Sequence, residues 1–148
     1  EASIAAAIDN AAAVGVSDRV TFSVGPAVDY DYEQGFDLIC FFDALHDMGD
    51  PVGAARQARS ALAEKGTVML VEPYAADRLE DNKGPIGRLY YSASTTLCCA
   101  HAISEGGQRV LGTQAGEARL ADVFAEAGFT HWRLADQSPF NLVLEARA

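Results

Sequence analysis

The amino-acid sequence predicts an α/β fold in which a mostly parallel sheet ends in an antiparallel hairpin. Two nearly continuous apolar segments, residues 36–42 and 67–72, flank a segment of helical periodicity. Apolar runs of this kind are typical of parallel strands that are covered on both faces, and the order strand, helix, strand indicates a right-handed βαβ unit. Residues 129–134 and 140–146 instead alternate apolar and polar side chains around a turn at 136–139, which predicts the hairpin.

The N-terminal elements are predicted from two different periods. Ile4, Ala7, Ile8 and Ala11 recur at helical spacing, so a helix is expected over residues 2–14. Residues 20–24 alternate apolar and polar side chains and are expected to form a strand that Gly25–Pro26 closes. An acidic loop follows at residues 29–34.

The central unit begins with residues 36–42, which we expect to be a central strand. Asp50 and Pro51 form an N-cap and first-turn pair, and the helix behind them is expected to end at Lys65–Gly66. Residues 67–72 form the next buried strand, which Pro73 stops. Ligands of such open sheets bind beyond the carboxyl ends of the strands, so functional side chains are sought there.

Residues 75–112 have a looser pattern and are expected to be a helical insertion. Residues 79–82 resemble a polar loop, residues 86–103 suit one or two helices, and Gly106–Gly107 breaks them. A further helix is expected to open at Thr113 or Gly116 and to end at Gly128.

Composition excludes several classes of function. The chain has 11 basic and 21 acidic residues and a net charge of -10, which opposes binding to nucleic acid. No apolar stretch is long enough to span a bilayer. Three cysteines without disulfide or metal spacing favour a cytoplasmic protein, and Cys98 and Cys99 are expected to be buried thiols rather than ligands, with no metal site predicted.

The order of these elements, together with the segment Ala-Leu-His-Asp-Met-Gly-Asp-Pro at 44–51, resembles the later half of class I methyltransferases that use S-adenosylmethionine. The segment is similar to the Leu-His-Asp-x-x-Asp motif of small-molecule O-methyltransferases. The resemblance spans residues 1–148 and implies a Rossmann-like methyltransferase sheet that lacks its first two strands. Their glycine-rich cofactor loop has no counterpart here, so we expect this chain alone to bind the cofactor weakly or not at all. The unpaired sheet edge that the resemblance implies is expected to reflect either a cleaved or truncated chain or two copies that exchange elements in a homodimer.

The resemblance also assigns a catalytic pair. His46 matches the general base of these O-methyltransferases, and Glu72, at the end of the neighbouring strand, matches the glutamate that fixes its tautomer. Two structural interpretations remain open: His46 as a loop residue that hydrogen-bonds the next helix, and Glu72 as a cap for an amide near Tyr74. A second acidic residue of the family aligns with Gln114, whereas Asp47 and Asp50 are expected to be helix caps.

Cofactor and substrate residues follow from the same resemblance. Ala27, Phe42 and Asp43 lie where family members contact S-adenosylmethionine, although Asp43 could equally cap a turn and Phe42 could be core. Tyr90 and Tyr91, in an insertion that forms a substrate cap, are predicted to line the acceptor pocket; an alternative places them in the core.

Two functions therefore remain. The first is a methyltransferase that acts on a small-molecule acceptor, with a hydroxyl group deprotonated by His46. The second is a non-catalytic module of the same fold that binds a ligand or a partner.

Overall fold

The computed structural model describes residues 2–28 and 35–148, in two units divided at Glu1–Tyr30 and Asp31–Ala148. The acidic loop predicted at 29–34 lies outside the described residues. Within the described ranges, no helix combines the length and the apolar character that a membrane crossing requires.

The first unit contains helix α1, Ala2–Ala13, as predicted. Gly15 follows with φ of 70°, and the amide of Val16 donates to the carbonyl of Ala11, which closes the helix end. The strand predicted at 20–24 is wrong, because these residues belong to no β-ladder. Alternation favours a strand only where a neighbouring strand supplies hydrogen bonds, and no strand among the described residues pairs with this segment.

The second unit is built on a four-stranded sheet. Its strands are β1 (Phe36–Phe42), β2 (Leu62–Pro73), β3 (His131–Gln137) and β4 (Asn141–Arg147). The order is β1-β2-β4-β3, with β1 and β2 parallel and both pairings of β4 antiparallel. The predicted α/β fold with a parallel unit and a C-terminal hairpin is confirmed, and β4 inserts beside β2.

Strand β1 has the predicted bounds but not the predicted central position. In residues 35–148 it pairs with β2 alone, and its other edge is free of a described strand. Leu38 and Phe42 are 54% and 63% exposed as a result. Their apolar character had suggested burial on both faces.

Along the chain, the helices of the second unit come between successive strands. Helix α2 (Pro51–Ala61) ends earlier than predicted, because Leu62 is extended and already pairs with Phe36. The insertion holds a 3-10 turn at Leu79–Asn82, helix α3 (Pro85–Ala93), a π-helical turn at Ser94–Cys98 and helix α4 (Cys99–Ser104). Helix α5 (Gly116–Glu126) precedes the hairpin.

The core of this unit lies between the sheet and helices α2 and α5. The ring of Phe124 packs 5.0 Å from Phe129 and 5.1 Å from Trp132. Leu144, on β4, is fully buried. Phe129 packs its ring against Phe124 instead of joining the sheet. Strand β3 therefore begins at His131, two residues later than predicted.

Candidate functional site

The loop after β1 brings the predicted histidine to the carboxyl end of the sheet. Asp43 adopts the left-handed conformation, with φ of 46°, and its amide continues the ladder by donating to Val71 at 2.8 Å. The chain then enters a short 3-10 turn at Leu45–Asp47, where Leu45 is completely buried. This anchor fixes the direction in which His46 leaves the turn.

Glu72 and His46 form a buried pair between neighbouring parallel strands. Glu72 is 1% exposed and His46 is 4% exposed. The Oε2 atom of Glu72 lies 2.5 Å from His46 Nδ1, and its Oε1 accepts the amide hydrogen of Leu45 at 3.0 Å. The alternative in which Glu72 caps an amide near Tyr74 is wrong, since the Tyr74 amide donates to the carbonyl of Phe140.

The environment of His46 makes its imidazole a stronger base. Burial alone would lower the pKa, but the hydrogen bond and charge of Glu72, with the charges of Asp47 and Asp43, outweigh it and raise the pKa above its ordinary value. A base of raised pKa holds an accepted proton more firmly. The pair therefore suits the acceptance of a proton at the other ring nitrogen, Nε2.

The second ring nitrogen of His46, Nε2, faces Asp47. The Asp47 Oδ1 atom lies 3.2 Å away, yet it is buried and makes no aligned hydrogen bond. The thiol of Cys98, from the π-helical turn, lies beside the same carboxylate. Burial, together with Asp47, raises its pKa to about 12. Asp50 caps α2 as predicted, accepting from Gly53 at 2.8 Å, whereas Asp47 contacts His46.

Residues 112 and 113 connect the histidine loop with the insertion. The amide of Gly112 donates to the carbonyl of His46 at 3.1 Å, and the Thr113 hydroxyl donates to the carbonyl of Tyr90 at 2.8 Å. The Tyr90 hydroxyl in turn donates to Phe140 at 2.9 Å. Burial and the charge of Asp43 raise the pKa of Tyr90.

The other predicted residues have less definite positions. Phe42 presents an exposed ring at the end of β1, and the Asp43 carboxylate accepts from Asn141 at 3.2 Å. Tyr91 is half-buried on α3. Ala27 belongs to the first unit.

Gln114, which is predicted to align with the family's second acidic residue, makes its described contacts with backbone carbonyls. Its amide nitrogen donates to the carbonyls of Thr113 and Tyr74, at 3.2 and 3.5 Å. The acidic residue that contacts His46 Nε2 is Asp47. The sequence did not indicate this contact, because a role as helix cap already accounted for an aspartate at that position.

The fold matches solved methyltransferases. It is similar to the S-adenosylmethionine-dependent methyltransferase SibL (22% identity, TM-score 0.71, 97% of this chain and 40% of that chain). It is also similar to the structure described as PigF with SAH, at 20% identity and a TM-score of 0.72, over 95% of this chain and 39% of that chain. An O-methyltransferase family 2 protein from Planctomyces limnophilus DSM 3776 in complex with apigenin matches at 18% identity and a TM-score of 0.67, over 96% of this chain and 39% of that chain.

These likenesses show that the chain has the fold of a methyltransferase. A match to a family model shows the family itself. The model, described as a methyltransferase domain, matches residues 1–128, and the chain belongs to that family. It spans about two-fifths of the length of the solved structures. No curated protein matches it.

S-adenosylmethionine is the cofactor that the family supports, and the residues at the end of β1 fit part of it. An exposed aromatic ring at Phe42 and a carboxylate at Asp43 suit an amphipathic cation. The sequence contains no glycine-rich loop of the G-x-G-x-x-G type.

Proposed function

We propose that the protein transfers a methyl group from S-adenosylmethionine to a hydroxyl of a small-molecule acceptor, with His46 as general base and Glu72 as its positioning partner. The observation that carries the proposal is the buried contact of 2.5 Å between Glu72 and His46 Nδ1. The cofactor, when bound, supplies the methyl group. Phe42 and Asp43 are the proposed cofactor contacts of the second unit.

Glu72 fixes the tautomer in this proposal. A carboxylate is an acceptor only, so Nδ1 carries the hydrogen that it receives and Nε2 keeps its lone pair. The second carboxylate oxygen is held by the Leu45 amide, which prevents Glu72 from rotating away. When the acceptor hydroxyl attacks, its proton passes to Nε2 and Glu72 stabilises the resulting imidazolium.

The insertion at residues 75–112 is the proposed substrate cap. Tyr90 supports this role because its hydroxyl donates to the carbonyl of Phe140 while its own carbonyl is held by Thr113. A cavity of about 520 Å³ lies between the start of α3 and the hairpin turn, with Tyr74 and Gln137 in its walls. Neither Tyr90 nor Tyr91 lines this cavity, so the two tyrosines are proposed as acceptor contacts separately from it.

Methyl transfer from labelled S-adenosylmethionine to a panel of hydroxylated aromatic compounds tests the proposal in the intact protein. His46→Gln removes the base and is expected to lower kcat by about 100-fold or more. Glu72→Gln keeps the shape but not the charge and is expected to lower kcat by about tenfold, with a smaller change in KM. His131→Gln is the matched control, since His131 is exposed on β3.

Two results would decide against the proposal. Transfer by His46→Gln at a rate close to that of His131→Gln removes the base mechanism. Failure of the wild-type protein to methylate any acceptor, while calorimetry shows that it binds S-adenosylhomocysteine, supports the non-catalytic module instead.

A further inference from the structure

His46, Asp47 and Cys98 bring three metal-ligand types together on the Nε2 side of the histidine. Two of them come from the 3-10 turn after β1 and the third from the π-helical turn of the insertion. Within residues 2–28 and 35–148, this is the group of three such side chains whose donor atoms all lie within 4.8 Å of one another. The spacing of the cysteines gave no indication of it, because the partners of Cys98 lie far away in sequence.

The distances fit a small tetrahedral cation. Zinc bound at its usual lengths to nitrogen, oxygen and sulfur holds its ligand atoms about 3.3 to 3.6 Å apart. His46 Nε2 and Asp47 Oδ1 are already separated by 3.2 Å. Since the Cys98 sulfur lies within 4.8 Å of both, a shift of about 1 Å completes the set.

Two further features of the group point to a ligand. The Asp47 Oδ1 atom is buried and makes no aligned hydrogen bond, although it lies 3.2 Å from His46 Nε2 and its carboxylate interacts with the Cys98 thiol. Buried polar atoms are nearly always satisfied, so an unsatisfied carboxylate oxygen needs an explanation. His46 is nine-tenths buried, and its other nitrogen is held by Glu72, the arrangement that orients histidine ligands in metal sites.

We propose that His46 Nε2, Asp47 Oδ1 and Cys98 Sγ bind one divalent cation of the zinc type, with a fourth position open to water. Sulfur, imidazole nitrogen and a carboxylate oxygen together are typical of zinc rather than of magnesium or calcium. Binding breaks the S–H bond of Cys98 and releases that proton to solvent, which leaves a thiolate on the cation. The cation occupies the lone pair that the proposed base uses, so it inhibits methyl transfer by this mechanism.

Cobalt(II) alone, added to chelator-treated intact protein, tests the site. A cysteine thiolate bound to cobalt gives a near-ultraviolet charge-transfer band, and we expect this band to saturate at one cobalt per chain and to disappear when zinc is added. Cys98→Ser is expected to abolish the band, and Asp47→Asn to keep it while weakening affinity by about tenfold or more. Cys99→Ser and Cys40→Ser are the matched controls and retain the band.

The proposal is overturned if wild-type protein gives no band, or if the band survives in Cys98→Ser but is lost in Cys99→Ser. Circular dichroism shows whether Cys98→Ser folds, and Asp47→Asn gives an independent decision if it does not. The readout needs neither cofactor nor acceptor. A negative result therefore leaves the proposed methyl transfer intact, and failure of methyl transfer leaves the metal site intact.

Discussion

Removing the charge of Glu72 should loosen the histidine loop, and the structure gives the size of the effect. Glu72 is 1% exposed and makes a charge-assisted contact with His46 as well as a hydrogen bond with the Leu45 amide. Glu72→Gln keeps an acceptor for Leu45 but not the charge at His46. A hydrogen bond to a charged group contributes about 1.5–3 kcal/mol, so the free energy of unfolding should fall by that amount.

Glu72→Ala should cost more, about 3–5 kcal/mol, because it leaves the Leu45 amide and the imidazole unpaired in a buried space. Urea unfolding in the presence of EDTA measures both variants without a contribution from bound metal. A double-mutant cycle with His46→Gln isolates the coupling of the pair, which should exceed about 1 kcal/mol. Glu64→Gln, exposed on the same strand, is the matched control.

The reasoning is refuted if Glu72→Gln is as stable as Glu64→Gln, or if the coupling falls below about 0.5 kcal/mol. Either result would mean that Leu45 packing alone positions His46.

Three further predictions concern the surrounding fold. Gly112→Ala should destabilise by more than about 1 kcal/mol, because φ is 68° there and a Cβ would lie 2.2 Å from the Ser94 hydroxyl; thermal unfolding checks this. Leu144→Ala, at a fully buried position, should cost about 2–5 kcal/mol in urea unfolding, and the exposed Leu89→Ala far less. The Arg133 hydrogen bond lowers the pKa of Glu145, so the stability that this carboxylate adds is present above its ordinary pKa near 4.5 and lost as pH falls through the lowered value. Urea midpoints of wild type and Glu145→Gln should therefore converge in acid, and a constant difference across pH would contradict this.

Elements with local signals were predictable from the sequence. The run of seven residues 36–42 gave the bounds of β1, and Asp50 with Pro51 gave the start of α2. Capping and apolar runs act within a few residues, so one sequence is sufficient to read them. The end of α2 was missed because pairing of Leu62 with β1 overrides helical periodicity.

The residues of the candidate site that lie at strand ends were predictable from the sequence. The contribution of the insertion, Cys98, was not. Strand ends placed His46 and Glu72 together, since parallel neighbours meet at one edge of a sheet. The position of Cys98 depends on a π-helical turn, which adds a residue to the helical cycle and has no reliable sequence signal. The strand predicted at 20–24 was wrong for a related reason. Strand pairing depends on two segments, and the alternation of one segment does not show whether a partner is present.

The two consecutive hydrogen bonds at residues 112 and 113 have a practical consequence for redesign. One fastens the backbone that carries the imidazole, and the next fastens the first helix of the insertion. Exchanging α3 for another sequence to alter acceptor preference would therefore also pull on the histidine. Chimeras should retain this two-residue brace, with glycine kept at its first position and a hydroxyl at its second.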